Sequence, residues 1–134
     1  MTLHVRKIGV EDRDLWDKSA SSFSIAHPLN AYGWGKIREI DGCTPSYFMA
    51  LEGDTVKGMI MILQKKIPWT RLSIMYAPRG PICEPNDIQT IKAIIEKVKK
   101  EGKKGKSILL RIDPNIVEDA FASDKDPFVE EGFI

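Results

Sequence analysis

With 134 residues, 43% of them hydrophobic and 29% charged, the chain is long enough for one domain with its own core and too short for two to be expected. Its 20 basic and 19 acidic side chains leave a formal net charge of +1, which excludes wholesale attachment to nucleic acid or a membrane through bulk charge. Cys43 and Cys83 lack CxxC or Cys/His spacing, and no apolar run reaches bilayer length or resembles a signal peptide. No disulfide framework, metal or cofactor is therefore expected, and a cytoplasmic location is.

His4 to Ile8 alternates weakly before Gly9 and reads as a first strand. Asp12 to Phe23, anchored by Leu15 and Trp16, reads as a short helix. After Pro28, Tyr32, Trp34, Ile37 and Ile40 predict a second helix that stops at Gly42, where glycine can take a left-handed cap. Ser46 to Leu51 and Val56 to Ile67 form a predicted hairpin around Glu52-Gly53-Asp54-Thr55. Pro68-Trp69-Thr70 turns the chain into a third antiparallel strand, Leu72 to Tyr76. Asn86 and Gln89 suggest a capping box opening a helix, with Ile88, Ile91, Ile94, Ile95 and Val98 on one face and Gly102 as its stop. Ser107 to Ile112 is a nearly continuous apolar run, expected as a central strand buried on both sides. Phe128, Val129 and Phe133 suggest a last short helix. The expected fold class is α/β (α+β): a mixed, largely antiparallel sheet flanked by helices, in the order of the front part of a GNAT-type acyltransferase fold, stopping before that fold's last strands.

Two apolar runs end at prolines beside polar groups that a core does not require: Tyr76-Ala77-Pro78-Arg79-Gly80-Pro81 and Arg111-Ile112-Asp113-Pro114. Ligands of open α/β sheets bind beyond the carboxyl ends of strands, so these mark a candidate site edge. Asp113 is held extended by Pro114 and shares a face with Arg111 by the period of two, which leaves a catalytic carboxylate and an Arg111–Asp113 ion pair as equal readings. A reference pKa of about 3.9 makes an aspartate a weak base for an amine near 10.4, so orientation would matter more than basicity. Lys36, between Gly33, Gly35 and the rest of its helix, could face an anion such as phosphate or simply be solvated. Tyr76 and Arg79 could hold sugar, amide or phosphate groups, although Pro78, Gly80 and Pro81 equally describe a rigid turn. Trp34 and Trp69 are expected as packing anchors. The Lys97 to Lys106 run reads as a solvated helix end rather than an RNA or DNA surface. His4 and His27 lack partner patterns, and no GxSxG or Cys/His pair supports covalent catalysis.

Trp34-Gly35-Lys36-Ile37-Arg38, Lys65-Lys66-Ile67-Pro68, Tyr76-Ala77-Pro78-Arg79-Gly80-Pro81 and Leu110-Arg111-Ile112-Asp113-Pro114 together resemble the FemABX family over nearly the whole chain. The resemblance implies an aminoacyltransferase that moves an amino acid from aminoacyl-tRNA onto the side-chain amine of the peptidoglycan stem peptide, with a UDP-linked or lipid-linked muropeptide as acceptor. It implies that Lys36 contacts the acceptor's diphosphate and that Asp113 sits beside the attacking amine. Some family members carry a substrate-contacting tyrosine five residues before that aspartate, where this chain has Ile108. They also have two GNAT-like domains, so residues 1–134 are expected to be the first alone, without its last strands, and a lipid-linked substrate would bring peripheral contact with the membrane. An inactive remnant that dimerises through an uncompleted sheet edge is the alternative from another class. A small-molecule N-acyltransferase is a third; acetyl-CoA is disfavoured because Arg79-Gly80-Pro81-Ile82 lacks the glycine run of a pyrophosphate loop.

Overall fold

A computed structural model describes residues 3–23, 28–84 and 86–112. Asp113 and the helix expected near Phe128 lie outside these residues. The elements run β1 (Leu3–Ile8), α1 (Arg13–Ser22), α2 (Tyr32–Arg38), β2 (Thr44–Glu52), β3 (Thr55–Lys66), β4 (Ser73–Ala77), β5 (Ile82–Cys83), α3 (Ile88–Lys104) and β6 (Ser107–Ile112). The sheet order is β1-β2-β3-β4-β6, with β5 paired to β3 beside this path. All pairings are antiparallel except β4 with β6, which is parallel. This is the mixed, helix-flanked sheet expected from the order of elements.

The hairpin strands β2 and β3 carry both cores, because their alternate residues face opposite layers. Tyr47, Met49, Met59, Met61 and Leu63 pack with Trp16, Ala20 and Tyr32 on the side of α1 and α2. Phe48, Ala50, Ile60 and Ile62 pack with Met75, Ile94 and Val98 on the side of α3. Each of the larger side chains contributes roughly 1.5–3 kcal/mol when fully buried. Helices approach closely where the sequence removes a side chain. A Cβ on Gly58 would lie 2.7 Å from Thr90 Cγ2 and 2.9 Å from Ile94 Cδ1, so this glycine lets α3 settle against β3.

Several expectations are corrected. The α3 cap is Asp87, not Asn86: its carboxylate accepts from Thr90 N and from Thr90 Oγ1, at 3.3 and 2.7 Å. The helix also runs through Gly102, which is buried against Met75, and ends at Gly105. A two-residue strand, β5, was too short to show as a periodic pattern. Most consequential is β6, which is not central but the edge strand among the described residues, with Ile108 and Leu109 62% and 57% exposed. Continuous apolarity suited a strand buried on both faces; here Leu110 and Ile112 pack on the α3 side, while Leu109 and Arg111 on the other face, and Ile108 near the start of the strand, are exposed. Gly42 does end the α2 region with φ 84°, the left-handed cap expected of it.

Candidate active-site cleft

The seven-residue helix α2 is too short to be stable alone, and tertiary contacts fix it. Asp17 on α1 accepts from the Tyr32 backbone N–H at 2.7 Å, satisfying an orphan donor of its first turn. The Tyr32 ring stacks on Tyr47 at 3.9 Å, and Tyr47 Oη donates to the Tyr32 carbonyl at 2.8 Å. Burial, reinforced by the neighbouring Tyr32 phenol, raises the Tyr47 pKa well above its ordinary value. Gly35 is buried at the contact with the sheet, where a Cβ would overlap Tyr47 Oη and come within 2.9 Å of Met61 Sδ. The surface that this glycine approaches is therefore the protein's own sheet.

With α2 so placed, its outward residues and the end of the sheet enclose a cleft of about 370 Å³. Trp34, Arg38 and Cys43 form the wall on the α2 side, Leu63, Lys65, Ile74 and Tyr76 the floor, and Leu29 and Pro78 the end. Register explains the floor: Leu63 pairs with Tyr76 and Lys65 with Ile74, so all four share one face of the sheet. The same rows continue onto β6, where Tyr76 pairs with Arg111 and Ile74 with Leu109. The Arg111 guanidinium lies 5.7 Å from the Tyr76 ring centroid, and that of Arg38 lies 5.7 Å from the Trp34 ring. Arg38 also pairs with Asp41 at its exposed edge. A site with aromatic walls, an apolar floor and cations along its rim suits an anionic group joined to an apolar or flat moiety.

Of the residues singled out from the sequence, Tyr76 lines this cleft and Lys36 does not. Lys36 is exposed on another face of α2, with Nζ 3.3 Å from Glu39 Oε1. The helical cation that does line the cleft is Arg38, one turn beyond Trp34; the i, i+4 relation of that pair was the available signal. Arg79 stands in the turn after β4 with φ 50°, preceding a cis Gly80–Pro81 peptide. Its carbonyl and that of Pro78 accept from Nδ2 of buried Asn30, at 3.2 and 3.3 Å. Asn30 is itself tied to α1, because Trp16 Nε1 donates to its carbonyl at 2.7 Å. The rigid turn expected at Pro78-Arg79-Gly80-Pro81 is thus present, and its Pro78 lines the cleft. Strand register brings Lys65 to the floor and Arg111 against the ring of Tyr76 beside it; neither position stands out as a ligand contact in the sequence. Among the described residues no three His, Cys, Asp or Glu side chains group to hold a metal.

The model of the family described as "FemAB family" matches residues 15–132. A lipid II:glycine glycyltransferase of Staphylococcus haemolyticus (strain JCSC1435) is 25% identical over 114 residues, covering 82% of this chain and 27% of that protein. The chain therefore spans little more than a quarter of the length of this curated relative. The crystal structure of FemX superposes with a TM-score of 0.77 at 20% identity, covering 85% of this chain and 28% of that one. A GNAT family acetyltransferase from Staphylococcus aureus subsp. aureus USA300_TCH1516 superposes at a TM-score of 0.62 and 10% identity, over 94% and 96% of the two chains. The two superpositions establish a GNAT-like fold, and the family match, which extends over most of the sequence, establishes that this chain belongs to the FemAB family.

Proposed function

We propose that the chain forms the acceptor-binding part of an aminoacyltransferase that extends the peptidoglycan stem peptide, drawing its amino acid from aminoacyl-tRNA. The observation that carries this reading is a pair of arginine–ring contacts, Arg38 on Trp34 within the cleft wall and Arg111 on the ring of Tyr76, a residue of its floor. Together with Lys65 they supply the cations a diphosphate requires, and guanidinium forks match phosphate oxygens. Arg38 is assigned to phosphate in place of Lys36, which the residue pattern and the family resemblance both suggest but which lies outside this cleft, paired with Glu39. Phosphate would compete with Asp41 for Arg38, at small cost because an exposed ion pair contributes at most about 1 kcal/mol. Beside these cations the cleft offers Leu29, Leu63, Ile74 and Pro78, which would leave the polar edge of a nucleobase unmatched. A lipid-linked acceptor fits these walls better than a UDP-linked one, in keeping with the lipid II substrate in the relative's name.

In this reading the acceptor amine attacks the aminoacyl ester carbonyl directly. An amide bond forms, the ester bond to the terminal ribose of the tRNA breaks, and the ribose oxygen leaves carrying a proton. Asp113, by the resemblance, orients the amine and takes its proton; the tRNA side would come from a second domain, as the resemblance implies. Transfer assays on the full-length protein with charged tRNA and a lipid-linked acceptor test this. Asp113→Asn should depress kcat with little change in acceptor KM, and Arg38→Gln should mainly raise acceptor KM. If both variants transfer like the wild type, the assignment fails.

The position of β6 at the sheet edge among the described residues supports a second reading, a non-catalytic module that dimerises by adding a strand there. Sedimentation of the 134-residue chain that stays monomeric at high concentration would remove it.

A further inference from the structure

The connection between β3 and β4 carries an exposed aromatic side chain that neither core uses. Trp69 is fully exposed, so the packing role expected from sequence does not hold. Its φ of 67° is a left-handed conformation, which costs a non-glycine residue roughly 1–2 kcal/mol. The tip is nonetheless ordered: Ile67 N donates to the Leu72 carbonyl at 2.9 Å, and Thr70 Oγ1 donates to the Ile67 carbonyl at 2.8 Å while accepting from Leu72 N at 3.1 Å. A tryptophan held outward in a strained backbone gives the fold nothing and presents a large amphipathic ring to whatever lies beyond.

Its surroundings are apolar at the tip and cationic around it. Pro68 and Leu72 are exposed beside Trp69. Lys65, Lys66 and Arg71 flank them, all exposed, and none pairs with a carboxylate among the described residues. Lys66 pairs in register with Ser73, and Ser73 with Ser107, so Lys106 and the end of α3, with Lys103 and Lys104, lie at the same end of the sheet. Glu101 pairs with Lys104 there, and Lys65, Lys66 and Arg71 remain as exposed cations around one exposed ring.

We propose that this hairpin tip is a membrane-docking element, inserting Trp69 and Leu72 at the head-group level of a bilayer bearing anionic lipids while the surrounding lysines and arginine engage the head groups. Tryptophan favours that interface, and each cation near an anionic surface adds attraction. A single ring on a convex tip with aliphatic neighbours suits a bilayer better than single-stranded nucleic acid, whose binders stack bases in a groove. In the β3–β4 register Lys65 and Ile74 are the floor residues nearest the hairpin tip, so docking would bring that end of the cleft toward the membrane surface. The inference does not depend on the acceptor assignment, because its test contains no muropeptide.

The test is co-sedimentation of the 134-residue chain with phosphatidylcholine vesicles, with and without phosphatidylglycerol, following tryptophan emission in parallel. Glycine suits the backbone at position 69, so Trp69→Gly should fold as the wild type does, which circular dichroism checks. The wild type should bind phosphatidylglycerol vesicles with a blue shift, since Trp16 is buried and Trp69 is the fully exposed indole. Trp69→Gly should lose the shift and about tenfold or more in binding, and Lys66→Gln and Arg71→Gln should lose about fivefold each. No binding by the wild type, equal binding by Trp69→Gly, or Trp69-dependent binding to single-stranded RNA in place of vesicles would overturn the proposal.

Discussion

Arg111 on β6 lies over the ring of Tyr76 on β4, its guanidinium 5.7 Å from the ring centroid, because the parallel register of the two strands makes them partners. The ring is part of the cleft floor, and the cation flanks it on the neighbouring strand. Replacing Tyr76 by alanine removes the floor and frees Arg111, whereas Arg111→Gln removes only the charge. Both should weaken a diphosphate ligand, Tyr76→Ala more, with Arg111→Gln costing about tenfold. Titration calorimetry of the two variants would show whether the order holds.

The wall on the α2 side depends on Asp17, which reaches from α1 to the Tyr32 N–H. Asp17→Ala should destabilise the protein by about 1–2 kcal/mol, as loss of a helix-capping carboxylate does. Urea unfolding measures this directly; an unchanged midpoint would show that α2 is held by its aromatic stack alone.

Gly35→Ala tests the closeness of α2 to the sheet. Helix propensity favours alanine by about 1 kcal/mol, but its Cβ has no room between Tyr47 Oη and Met61. Overpacking of this kind costs about 1–3 kcal/mol, so net destabilisation is expected. A variant more stable than the wild type would contradict the tight seat described for α2.

Stability should fall in alkali. Burial raises the Cys83 thiol from 9.0 to about 12, with the nearby Asp87 and Glu84 carboxylates adding to it. Above pH 9 the unfolded chain loses this proton while the folded chain keeps it, so unfolding becomes easier as pH rises. The contribution is fully present below about pH 9 and declines toward pH 12, by at most about 1.4 kcal/mol per pH unit. Tyr47 shifts in the same direction and adds to the decline. Cys83→Ala should flatten the pH dependence of the urea midpoint between pH 9 and 12.

Much of this architecture is legible in the sequence wherever local chemistry and tertiary packing agree. The hairpin of β2 and β3 and the stop at Gly42 are of that kind. The misreadings fall where distant contacts decide. Gly102 looks like a helix stop but is needed small against Met75, and β6 has the apolarity of a central strand although one of its faces is open. Trp69 reads as a core anchor by type, and only the geometry of its turn reveals a fully exposed ring. In the cleft, Tyr76 could be picked from its strand end. The contributions of Lys65 and Arg111 depend on register across three strands, which composition cannot supply.

The central claim is that the α2–β4 cleft binds the diphosphate of the acceptor through Arg38 and not Lys36. Calorimetric titration of a short-chain lipid-linked muropeptide into the wild type, Arg38→Gln and Lys36→Gln compares the two cations on one helix. Loss of a charged hydrogen bond costs about 1.5–3 kcal/mol, so Arg38→Gln should weaken binding by about tenfold or more while Lys36→Gln stays within about twofold of the wild type. Unchanged affinity in Arg38→Gln, or a larger loss in Lys36→Gln, would contradict it.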